Sequence, residues 1–275
     1  MAKMISIVSG KGGVGKSTFT AALGAAMATG GCSVIIIDMD FGLRAQDILL
    51  SVENSIVFDL LDTVAGYCPP DQALIKIPDY PGLSLLPAAQ FARAKSLDMA
   101  KFRGVLKTIR DTSDFILIDC PAGLEKGFRN VLAARCDETV LMVTPDDLCI
   151  RDAERTLQVM DAKKNRRPCL VVNRLDAALI QSGEMPSAQS VADLLDLTLL
   201  GEIPEDPSVY RAVLNHRTYL RYDCKARDAV FRIAARIRGR DIPLPSIGLR
   251  KRKPLLKRLF RRNKSIKEVA SLDSY

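Results

Sequence analysis

Gly10, Lys11, Gly12, Gly13, Val14, Gly15, Lys16 and Ser17 follow directly on the apolar residues 4–8 and satisfy the pattern G-x-x-x-x-G-K-[ST] at every fixed position. Glycines at this density let the chain curl so that successive backbone N–H groups point inward, where they can hold phosphate oxygens. The Ala- and Leu-rich residues 18–29 behind the loop read as a helix, and its positive end reinforces that anion site. Lys16 can then reach the β- and γ-phosphates, the Ser17 hydroxyl can complete a Mg²⁺ shell, and Thr18 lies in the same first turn. The ligand selected by this chemistry is a nucleoside triphosphate with Mg²⁺.

Three carboxylates stand where such a site needs them. Asp38 and Asp40 close the hydrophobic run 33–37, and Asp119 closes the run 115–118. An acidic residue after a buried strand, on the same edge as a phosphate loop, can hold Mg²⁺ through its water shell, and Asp119 is the candidate for that role. Asp38 can serve the magnesium shell or hold the loop. Asp40 can polarise or orient an attacking water, which makes the site hydrolytic. Taken singly, each could also be an ordinary turn aspartate.

These residues have to be carried to one edge of a fold. Residues 33–37, 115–118, 139–143 and 169–172 are continuous apolar runs, the pattern of parallel strands covered on both faces. Residues 84–86 and 198–200 are shorter strand candidates, and amphipathic stretches around 98–111, 126–135 and 148–163 read as helices. The alternation predicts an α/β fold of P-loop NTPase type, a mostly parallel twisted sheet with helices on both faces. Ligand then sits at the carboxyl ends of the strands, where residues 10–17, Asp38, Asp119 and Asn173 all fall. The expected division is one domain over 1–243 and a basic tail over 244–275.

With 48% hydrophobic residues in a chain of 275, a sizeable core can form. Seven cysteines, odd in number and without a C-x-x-C pair, point to a reducing compartment and away from a disulfide framework or zinc site. No signal-peptide layout is present, and no apolar run approaches the roughly 20 residues that span a bilayer, so the expected location is cytoplasmic. The charge is uneven. All of the +8 net charge falls in the last thirty-two residues, and the remainder balances. Such a tail suits an anionic partner, either membrane or nucleic acid.

Residues 254–262 give that tail a shape. Pro254 can occupy a helix's first turn, and Leu255, Leu256, Leu259 and Phe260 then share a face of about 140°, with Lys257, Arg258, Arg261 and Arg262 on the rest. This is the form of an interfacial helix lying in the headgroups of an anionic bilayer. Residues 211–240, with nine Lys/Arg against Asp223 and Asp228, could instead track nucleic-acid phosphates. That contact has no use for a Leu/Phe face, so no nucleic acid partner is expected. His216 reads as a surface helix residue.

The extra lysine at position 11 gives K-G-G-x-G-K-[ST], which resembles the deviant phosphate loop of the ParA/MinD ATPases. Asp38-Met39-Asp40-Phe41-Gly42-Leu43-Arg44, Leu85-Leu86-Pro87-Ala88-Ala89-Gln90, Ile118-Asp119-Cys120-Pro121-Ala122-Gly123 and Gly201-Glu202-Ile203-Pro204-Glu205-Asp206 resemble the MinD branch in particular. That likeness runs from the first strand to about residue 217. It implies an ATPase that helps to place the division site, monomeric without ATP and a face-to-face homodimer with ATP and Mg²⁺. Lys11 then reaches the partner's phosphates, Asp40 is the hydrolysis-linked switch aspartate, and Asp119 belongs to the second switch. Asp152 is tied to dimer and partner response, and Asn173 and Pro204 meet adenine. A MinE-type activator and a MinC-type inhibitor are the implied partners. The tail is similar to that family's C-terminal membrane-targeting sequence, which implies a peripheral place on the inner face of the cell membrane.

The chain departs from the pattern in several places. Ser17 replaces the commoner Thr, Ala45-Gln46 replaces the usual pair before Asp47, and thirteen residues follow Arg262. Two other roles share the resemblance. One is a ParA-like DNA-partition ATPase. The other is a regulator of flagellar number or placement, a group that often carries an N-terminal segment before the loop.

Overall fold

The computed structural model describes residues 1–41, 43–90, 97–124 and 126–248. The expected tail helix, with Leu255, Leu256, Leu259 and Phe260, lies outside the described residues, as does Gly42. Eight strands make one sheet: β1 (Lys3–Val8), β2 (Val34–Asp38), β3 (Ile75–Lys76), β4 (Leu83–Leu86), β5 (Phe115–Asp119), β6 (Glu138–Val143), β7 (Cys169–Leu175) and β8 (Leu199–Pro204). Their order is β3-β4-β2-β5-β1-β6-β7-β8, parallel throughout except for the short β3–β4 pair. All five residues of β2 are buried in succession. Neighbouring side chains in a strand point to opposite faces, so both faces of the sheet are covered there.

The helices in chain order are α1 (Lys16–Thr29), α2 (Gln46–Leu49), α3 (Leu60–Ala65), α4 (Pro70–Ala73), α5 (Met99–Ile109), α6 (Lys126–Ala133), α7 (Asp147–Ala162), α8 (Ala177–Ser182), α9 (Ala188–Leu195), α10 (Pro207–Leu214) and α11 (Lys225–Ile237). The strands and helices predicted before residue 248 are present, within a few residues. Strand β3 was not foreseen, because two residues at an antiparallel edge leave no periodic signal. His216 lies just past α10 with φ 50°, its Nδ1 3.8 Å from a Glu53 oxygen, so it is a turn residue where a helix position was expected.

Helix α1 is the buried axis of the molecule. Phe19, Leu23 and Met27 and the alanines between them are inaccessible on nearly every side, which explains why its sequence carries no polar stripe. Gly24 lets it lie close against β2, since a Cβ there would stand 2.7 Å from Ile36 Cδ1. Helix α11 packs on both α1 and β8, burying Ala226, Ala229, Val230, Ile233, Ala234 and Ile237.

The outer edge of β8 would otherwise be an unpaired strand. The Arg236 guanidinium donates to the carbonyls of Leu200 (2.9 Å), Ile242 (2.7 Å) and Pro243 (2.6 Å), and Ile247 N–H donates to Glu202 Oε2 (3.1 Å). The segment after α11 is thereby strapped across the sheet's end.

The chain after β1 crosses to one side of the sheet, and the chain after β5 crosses to the other. Divergent connections open a crevice at the carboxyl ends of β1 and β5.

Contact between α11 and β8 depends on a missing side chain, because a Cβ at Gly201 would collide with Ile233 Cγ1 and Cδ1. Gly201→Ala should lower unfolding free energy by about 1–3 kcal/mol through overpacking. Ile233→Ala alone should cost about 2–5 kcal/mol. The double variant should cost at least about 1 kcal/mol less than the sum, measured by equilibrium denaturant unfolding.

Candidate nucleotide site

The phosphate loop joins β1 to α1. Gly13 and Gly15 adopt φ of 77° and 96°, a left-handed backbone that side chains disfavour, and Gly15 forms the cap from which α1 departs. Gly15 also meets a spatial demand, since a Cβ there would stand 2.6 Å from Asn173 Nδ2. That amide donates to the Val14 carbonyl at 2.8 Å, so Asn173 braces the loop from β7. At Gly10 any Cβ would strike the Asp152 carbonyl, which fits α7 tightly under the loop. The Asp152 side chain is 3.7 Å from the Arg155 guanidinium. Gly12 and Thr18 belong to the loop and the first turn of α1, and Lys16 is only 6% exposed.

Asp38 and Asp119 are register partners on β2 and β5, and neither has any accessible surface. Burial, followed by the charge of Asp119, pushes Asp38 up to about 8. Asp119 is also raised by burial, against the pull of Lys16 and of hydrogen bonds from Gln46, Ser17 and Thr20. Both oxygens of Asp38 accept backbone N–H groups, from Asp40 (2.9 Å) and Gln46 (3.1 Å). These contacts fix the loop after β2 that carries Asp40, which is not the phosphate loop it was expected to hold. Asp40 sits half-buried beside them, raised by burial and lowered by Lys16.

Gln46 was marked only as a departure from the family pattern, yet it is wholly buried here. Its Nε2 donates to Asp119 Oδ2 (2.7 Å) and to the Ser17 carbonyl (3.0 Å). Nothing in a single sequence announces a glutamine buried against a carboxylate, because Gln carries no characteristic spacing.

Lys11 turns away from the loop. Its Nζ lies 3.0 Å from Asp146 Oδ1, which also accepts from Cys149 N–H at the start of α7. A cavity of about 340 Å³ opens there, lined by Gly12, Val14, Thr144, Pro145, Arg174 and Met185. Asn173 and Pro204 border the same end of the sheet without lining that cavity; Pro204 is in register with Leu175. Arg174 and Met185 are residues that sequence reasoning did not single out.

A larger hollow of about 770 Å³ lies elsewhere, among Arg103, Arg129, Arg135, Lys163, Lys164 and Arg166. Its carboxylate, Asp137, is bound by Arg110 at 2.8 Å, and it has no glycine loop. The phosphate-loop crevice is where the chemistry is assembled.

Two neighbouring carboxylates raised chiefly by burial, with a hydroxyl alongside, suit a divalent cation that also takes phosphate oxygens. Among the described residues no cluster of three or more His, Cys, Asp or Glu could hold a metal by itself. That fits magnesium, which is usually held by one or two carboxylates together with nucleotide phosphates.

The Arg-rich stretch is partly committed inside the protein. Arg221 pairs with Asp79, Arg227 with Asp223 at 2.6 Å, and Arg236 holds the strap. Among the described residues no helix is long and apolar enough to cross a membrane.

Residues 5–219 match the family model described as the CobQ/CobB/MinD/ParA nucleotide binding domain. The septum site-determining protein MinD of Synechocystis sp. is 38% identical over 245 residues, covering 88% of this chain and 92% of that protein. Among solved structures, the MinC:MinD cell division protein complex of Aquifex aeolicus superposes with a TM-score of 0.82 at 35% identity, over 91% of this chain and 99% of that one. MinD of Pyrococcus horikoshii, solved with Mg-ADP, gives 0.75 at 29% identity, over 86% of this chain and 96% of that one. The chain belongs to the MinD family of septum site-determining proteins, within the CobQ/CobB/MinD/ParA nucleotide-binding class.

Proposed function

We propose that this protein is an ATPase that helps to place the division site by cycling between an ATP-bound homodimer on the membrane and a released monomer. The observation that carries the reading is a glycine phosphate loop facing the buried Asp38–Asp119 pair, with a second lysine, Lys11, held outside the loop on Asp146.

Loop N–H groups and Lys16 bind the β- and γ-phosphates, and Ser17 and Asp119 hold the metal side, with Asp38 fixing the loop that carries Asp40. Magnesium held there would supply positive charge against the phosphates. Asp40, next to Lys16 and held on a short tether to Asp38, orients the attacking water. Lys11 is exposed enough to leave Asp146, and its exchange of that carboxylate for the partner's phosphates couples ATP to dimer formation. Asn173 and Pro204 are the residues expected towards adenine, and Asp152 on α7 is the one expected to link dimer state to a MinE-type activator. A MinC-type partner is supported by the Aquifex complex.

The tail supplies the membrane step. The four large apolar side chains and the cations of 254–262 would give marginal attachment once ordering is counted. Two tails on one dimer gain avidity of roughly 10²–10⁴.

Lys16→Ala should abolish nucleotide binding. Asp40→Ala should bind ATP within a few-fold of wild type while phosphate release falls by about 10² or more. Lys11→Ala should bind nucleotide but stay monomeric with ATP by size-exclusion chromatography with light scattering.

Co-sedimentation with anionic liposomes should require ATP and should vanish when Leu259 and Phe260 are both replaced by Glu. Equal lipid binding in ADP and ATP would falsify the membrane cycle. Binding to duplex DNA in ATP with indifference to lipid would replace it with a partition function.

A further inference from the structure

Gln46 stands at the far end of the loop that begins at Asp38, and every polar group on it except one has a partner. Its backbone N–H is bound to Asp38, and its Nε2 to Asp119 and Ser17. The remaining atom, Oε1, is fully buried and has no hydrogen-bond partner. A buried acceptor left without a donor is destabilising.

Turning the amide over would not relieve this. The carboxamide oxygen would then face the Asp119 carboxylate and the Ser17 carbonyl, two acceptors, so the contacts fix the nitrogen on that side. A residue serving only to fill space next to Asp119 could be apolar and avoid the orphan altogether. The orphan therefore marks a donor that arrives with the ligand.

We propose that Gln46 is a positioning residue for the metal, with Nε2 steadying Asp119 and Oε1 accepting a hydrogen bond from metal-bound water. This rests on the reading of the crevice as a magnesium–nucleotide site. Ser17 and Asp119 are the groups expected around magnesium, and Gln46 touches both residues. Gln46 thus ties the loop carrying Asp40 to the metal shell at its second end. Arg44 and Asp47, paired at 2.8 Å across the last turn of that loop, hold the same end rigid.

The test measures binding of fluorescent ADP by the full chain, with EDTA and with Mg²⁺, so that neither hydrolysis nor dimer formation enters. Gln46→Met keeps length and burial without polar atoms, and Gln46→Glu keeps an acceptor and adds charge towards the metal. We expect Gln46→Met to reduce the Mg²⁺-dependent gain in ADP affinity by about tenfold, as loss of a charge-assisted hydrogen bond should, while affinity in EDTA changes less than twofold. Gln46→Glu keeps the acceptor but loses the donor to Asp119, so its gain should fall between those of wild type and Gln46→Met.

Matching thermal melts in EDTA for wild type and Gln46→Met establish that the variant is folded. Should both variants lose affinity equally with and without Mg²⁺, Gln46 merely shapes the loop, and the proposal is overturned. An Mg²⁺ gain unchanged in Gln46→Met overturns it as well. Wild-type protein that binds ADP identically in EDTA and Mg²⁺ removes the metal reading of the crevice itself, a distinct failure.

Discussion

Two carboxylates that share a buried border are the constraint around which the nucleotide edge is arranged. Asp38 and Asp119 are register partners on adjacent strands, and neither has accessible surface. Their mutual repulsion and lost hydration have to be met by the protein or by a ligand. The protein answers with backbone N–H groups on Asp38 and with Gln46, Ser17, Thr20 and Lys16 around Asp119. Each of those groups belongs to an element that the pair thereby fixes: the phosphate loop, the first turns of α1, and the loop after β2. The site is assembled around a deficit of positive charge, and a magnesium-bound nucleotide is suited to fill it.

Most of the architecture was legible because parallel strands buried on both faces write themselves as uninterrupted apolar runs. The residues expected at their carboxyl ends stand there, since strand direction leaves no other edge for them. Gly10, Gly13 and Gly15 were legible as a loop. Their separate reasons differ, however: Gly10 makes room for α7, and Gly15 combines a left-handed turn with space for Asn173. Asn173 itself was read as an adenine contact, and here its amide nitrogen is spent on bracing the loop, a tertiary contact that sequence spacing does not encode.

What escaped the sequence is the identity of partners among charged side chains. Lys11 was expected to reach across a dimer, and nothing in the loop motif indicated that the isolated chain holds it on Asp146. In the same way the basic stretch before residue 240 reads as a free cationic surface, yet Arg236 is consumed by three carbonyls at the sheet's edge. Charge counts give totals. Whether a given cation is available depends on which backbone oxygens the fold leaves unpaired.

The strap on β8 runs to Gly248, which lies against Ile180 and Ala177 of α8, the helix that follows β7 at the nucleotide-bearing end of the sheet. Along β8, Leu200 and Glu202 are engaged by Arg236 and by Ile247. A strand from another chain would have to peel this segment off before it could add to the sheet at β8, so the strap doubles as a guard against edge-to-edge growth.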